Sequence, residues 1–151
     1  MDLYSVVLFL HIVGALLLFV LLTVEGIGLR MGFSSAPLNR VLGPISALTI
    51  LVPGLYLMKA QWGLTGWVAV GIASWVLIAV VGAVTGIRMM RGTMSNRAAM
   101  ISWLIRIGMA GGVVFDMTVK PNLVVSVIAV LIGVVVGAAA SVSRPRPVVS
   151  R

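Results

Sequence analysis

The chain has no cysteine, three acidic residues and one histidine among its 151 positions. Without cysteine there are no disulfides, thiolate metal sites, iron–sulfur clusters or cysteine nucleophiles. Three carboxylates, none close to another in sequence, and one imidazole leave little for general acid–base chemistry. No G-x-S-x-G, H-E-x-x-H or phosphate-binding glycine loop occurs. Charged residues make up 9% of the chain, against about 25% in a soluble domain. Too few polar residues remain to wet the surface of a water-soluble fold.

Apolar residues make up 61% of the chain. They fall into five runs, at residues 4–29, 37–59, 65–88, 96–119 and 121–141, each close to the roughly 20 residues a helix needs to cross the hydrocarbon. In lipid a backbone must satisfy its own hydrogen bonds. The period-two alternation of a barrel strand is absent, so all five runs are predicted to be helices. The expectation is an all-α, polytopic transmembrane bundle in one domain, followed by a basic tail over 143–151. Ser34-Ser35-Ala36-Pro37 and Ser95-Asn96 are helix-start signals, and Lys120-Pro121 is read as ending the fourth helix and opening the fifth. Met1-Asp2 is no basic leader and the first run is too long for a signal core, so it is expected to be retained.

Eleven Lys and Arg residues give a net charge of +8. The arginines sit in alternate short gaps, where the positive-inside rule places them, and this argues against nucleic acid as the partner. Arg30 and Arg40 flank the first gap, Arg88, Arg91 and Arg97 the third, and Arg144, Arg146 and Arg151 the tail. The second and fourth gaps hold one base each, Lys59 and Lys120. With an odd number of crossings, that alternation predicts the N-terminus outside and the C-terminus cytoplasmic, with anionic lipid headgroups as the counter-charge. Arg106 and Asp116 interrupt the fourth run. Were it a surface helix, the tail arginines would face outside, against the rule.

Ala129, Gly133, Gly137 and Ser141 recur at every fourth position in the fifth run, a small-residue stripe that lets helices approach closely. Gly82/Gly86 and Gly108/Gly112 repeat the pattern. Two readings stay open: close packing within the chain, or a homo-oligomer or larger membrane complex assembled through Ala129, Gly133 and Gly137. Pro53-Gly54 interrupts the second run and frees the Thr49 carbonyl. Tyr56, Trp62 and Trp67 mark an interfacial aromatic belt.

Ionisable groups inside a span are costly and need partners. His11 and Glu25 share one face of the first helix. With the fourth helix antiparallel to the first, two layers are expected: Glu25 with Arg106 or Arg30 near the inner edge, and His11 with Asp116 near the outer. Such pairs can fix helix register or snorkel to the interface. Four groups in two layers make a thin ion relay. A b-type haem ligated by His11 with Met109 or Met117, or by His11 from two subunits, is one further use. Copper(I) held by thioethers is another, although the nine methionines show no M-x-x-M clustering.

Leu10-His11-Ile12-Val13-Gly14-Ala15 resembles the first-helix signature of a group of small bacterial membrane proteins. The group includes DUF2269-type proteins, the copper-resistance D domain and HemJ-type protoporphyrinogen oxidases. Met117-Thr118-Val119-Lys120-Pro121 resembles an ending seen in DUF2269-type members. The resemblance implies a bacterial cytoplasmic (inner) membrane location and, through its HemJ-type branch, a haem-linked role for His11. The chain has one histidine only, and the DUF2269-type branch brings no known reaction. The functional expectation is a non-enzymatic membrane component or accessory subunit, with a haem- or copper-linked redox protein built on His11 as the alternative.

Overall fold

A computed structural model describes residues 2–142; the basic tail expected over 143–151 lies outside them. Five long helices run in order: α1 Leu3–Met31, α2 Ala36–Leu57, α3 Gly66–Met90, α4 Asn96–Val119 and α5 Leu123–Val142. No strand occurs among the described residues. All five helices are long and apolar enough to cross a membrane. They mark the chain as a multi-pass membrane protein.

Local chemistry sets the helix ends. Asp2 caps α1 by accepting the Ser5 amide at 3.1 Å, and the Ser5 side chain together with that amide holds its carboxyl below the usual carboxylate range. Gly32 ends α1 at φ 77°, a left-handed conformation that glycine adopts without steric cost. Ser95 caps α4, accepting from the Ala98 amide at 3.2 Å. Lys120 closes α4 at φ 53° and is the one non-glycine residue with positive φ among those described. Pro121 does not open α5. Asn122 accepts the Val125 amide at 3.0 Å, so the helix starts at Leu123 and Pro121 lies in the link before it. α2 carries Pro44 and Pro53 and widens into a π turn over Met58–Trp62, a little beyond the expected end of that span.

The tightest seam joins α4 and α5. A Cβ on Gly112 would lie 2.8 Å from Val130 Cα, and Gly108 and Gly133 each face the other's carbonyl. Gly133 and Gly137 of the α5 stripe thus pack on α4 within the chain, where small residues let two backbones touch. α1 packs on α2 at Gly14, whose Cβ would lie 2.8 Å from the Thr49 carbonyl carbon. There Ser46 Oγ donates to the Gly14 carbonyl at 3.0 Å. Leu22, Ile78, Trp103, Leu104 and Ala110 form the core where α1, α3 and α4 meet. The outer faces carry exposed apolar side chains such as Phe9, Leu16, Val52, Val80, Leu131 and Val135. An apolar exterior of this extent suits lipid and not water.

The α1 C-terminus and α4 N-terminus meet, with Asn96 Nδ2 donating to the Leu29 carbonyl at 3.0 Å. Arg30, Arg40, Arg88, Arg91 and Arg97 therefore gather at one end of the bundle. At the opposite end Lys120 stands 3.9 Å from the Trp62 ring, and Trp62 packs edge-on against Trp67 at 5.6 Å. α2 and α3 barely touch, which leaves a cleft between them.

Candidate functional site

Arg106 sits mid-way along α4 with a relative exposure of 4%. Its guanidinium grips Glu25 of α1 as a fork, Nη1 to Oε2 at 3.0 Å and Nη2 to Oε1. Two parallel charge-assisted bonds fix both distance and orientation, which a lysine could not do. Glycine makes the room. Gly82 on α3 lies under the guanidinium, where a Cβ would come 3.1 Å from Nη1. Gly26 on α1 lies under the Trp103 ring. One turn from the ion pair, Trp103 Nε1 donates to the Leu22 carbonyl at 2.6 Å, and Arg30 stacks 5.6 Å over the same indole. Thr85 and Ser102 pair at 2.8 Å across α3 and α4. The Glu25 layer thus ties α1 and α4 together, with Arg106 and not Arg30 as the partner of the carboxylate.

The layer expected of His11 with Asp116 is not built as the helix registers suggested. His11 turns to α2, with Nδ1 2.8 Å from the Ile50 carbonyl and its ring against Gly54. A carbonyl only accepts, so Nδ1 carries the hydrogen, and in the neutral ring Nε2 holds the lone pair. Asp116 is fully buried on α4, and neither carboxyl oxygen makes a hydrogen bond. Ser126 of α5, also fully buried, is close enough to interact with that carboxyl, but its hydroxyl falls short of hydrogen-bond geometry. His11 and Asp116 are therefore not joined. The close approach of α1 to α2 at Gly14 sets the imidazole against a backbone carbonyl of α2, near Pro53.

Met109 packs into the core around Trp103, and Met117 lays its methyl against Gly71 of α3. His11, Met109 and Met117 face α2, the core and α3, so the three do not converge as a ligand set. Among the described residues no three His, Cys, Asp or Glu side chains cluster as metal ligands.

A feature not foreseen from the sequence is the cleft between α2 and α3, about 780 Å³ in volume. Glu25 and Arg106 line its inner wall, and Leu18, Ile50, Trp75 and Ile78 line its apolar depth. Gly82 and Gly86 gave a signal of sorts. Gly82 shelters Arg106, and a Cβ on Gly86 would meet nothing within 4 Å because it opens on the cleft. Comparison of the chain with family models, with curated proteins and with solved structures finds no match.

Proposed function

We propose that the chain is a non-enzymatic component, or accessory subunit, of an assembly in the bacterial cytoplasmic membrane. Its N-terminus is outside and its C-terminus cytoplasmic. The observation that carries this reading is the Arg106–Glu25 fork, which spends the buried guanidinium on holding α1 against α4. Gathering of Arg30, Arg40, Arg88, Arg91 and Arg97 at one end of the bundle supports the orientation. Anionic headgroups of the inner leaflet neutralise that end.

One observation favours a second reading. With Nδ1 held on the Ile50 carbonyl, Nε2 of His11 is the ring atom left to ligate, as the backbone bond of a metal-binding histidine usually arranges. A haem there would be held by His11 and, since Met109 and Met117 do not converge with it, by His11 of another copy, and would supply electron-transfer chemistry. An absorbance spectrum of the purified chain separates the two readings. A colourless, metal-free protein supports the first. A Soret band that is lost in His11→Ala overturns it in favour of the second.

A further inference from the structure

We infer that the cleft between α2 and α3 is a binding site for one membrane phospholipid with an anionic headgroup, seated in the leaflet at the arginine-rich end of the bundle. Length is the first argument. The cleft follows α1 from Leu18 to Gly32, α2 from Ala36 to Ile50 and α3 from Trp75 to Met90. At 1.5 Å per residue, each stretch is about 21 Å long. Half of a bilayer about 40–45 Å thick, headgroups included, is about the same. The cleft therefore begins at headgroup level and stops at the midplane, as the space for one lipid of one leaflet should.

The mouth is the more polar end, with the Glu25–Arg106 pair and Ser46 on the wall further in. Ser34, Ser35, Asn39, Arg40 and Asn96 line the mouth, while Leu18, Ile50 and Trp75 line the deep end. That order matches a polar headgroup followed by an acyl chain.

Charge completes the argument. Arg40 is exposed at the mouth and also lines the smaller hollow beside it. Of the three acidic residues, Asp2 caps α1 at the far end and Asp116 is buried beside Ser126. Glu25 is held by Arg106. Among the described residues no carboxylate is left for Arg40, so a phosphate suits it as a partner. Deeper in, Arg106 is 4% exposed and its Nε–H has no hydrogen-bond partner. It is a buried, unused donor on the wall of the cleft.

The site can be filled without disturbing the fold. A Cβ on Gly43 or Gly86 meets nothing within 4 Å, and both residues line the cleft. Gly43→Phe/Gly86→Phe therefore places two rings in the lipid's space. The test is native mass spectrometry of the full chain in detergent, titrated with dioleoyl phosphatidylglycerol or dioleoyl phosphatidylcholine. The expected result is one phosphatidylglycerol per chain, bound at least tenfold more tightly than phosphatidylcholine. The bound lipid is lost from the double phenylalanine variant, whose melting temperature stays unchanged. Arg40→Gln should weaken phosphatidylglycerol about fivefold, since one basic residue near the headgroups contributes about 1 kcal/mol. Equal binding of the two lipids overturns the inference, as does an adduct that survives in the filled variant. A dimer that the filled variant breaks also overturns it, because a second copy of the chain would then be the occupant.

Discussion

Removing Glu25 should damage this fold more than removing Arg106. Breaking a buried ion pair by deleting one partner costs about 3–5 kcal/mol, because the other charge is left unpaired. The two survivors differ. Arg106→Met leaves a carboxylate whose side chain is 13% exposed and keeps some access to water at the cleft. Glu25→Leu leaves a guanidinium that is 4% exposed and does not deprotonate in a protein. At roughly 2–4 °C per kcal/mol for a chain of this length, either single variant should melt about 6–20 °C lower, with Glu25→Leu the worse of the two. In the double variant neither charge remains, and apolar replacements of similar volume are often neutral. It should melt within about 1 kcal/mol of the parent. Thermal unfolding in detergent, followed by tryptophan fluorescence or far-ultraviolet circular dichroism, measures all three. Single variants that melt with the parent would refute the reasoning, as would a double variant whose loss is the sum of the two singles.

Other consequences are as direct. Gly133→Leu should destabilise by about 1–3 kcal/mol or more, since its side chain meets the backbone of Gly108, while Gly86→Leu stays within about 0.5 kcal/mol; paired melts check this. Trp103→Phe removes the donor to Leu22 and the five-membered ring from a buried site, and a loss of about 1–3 kcal/mol is expected by circular dichroism melts. Asp116→Asn removes a buried charge that has no hydrogen bond, so the melting temperature should hold or rise; a large fall would show that the carboxyl has a partner.

Much of this was legible in the sequence, for reasons that individual residues make clear. The helices follow from apolar length, and their ends from local chemistry such as Ser95 at the start of α4 and Gly32 at the end of α1. The pairing of Glu25 with Arg106 followed from two helix registers and one antiparallel relation. The same reasoning misplaced His11, because it supposed that α4 was the helix nearest to that ring. A close approach at Gly14 decided otherwise, and nothing in the residue pattern says which helix a glycine will meet. The α5 stripe was visible as spacing, but its partner became known only when Gly133 was found on Gly108. The cleft was invisible because it is a place where α2 and α3 fail to touch, and a missing contact leaves no periodic mark.

Site-directed labelling tests the central claim of alternating crossings most directly, and a chain without cysteine is ready for it. Single cysteines replace Ser34, Leu64, Thr93 and Asn122, one in each connection between helices. Intact bacterial cells expressing each variant are then treated with a membrane-impermeant maleimide. The account predicts labelling at 64 and 122, and none at 34 and 93 until the cells are opened. Labelling of 34 or 93 in intact cells, or protection of 64 or 122, would contradict it.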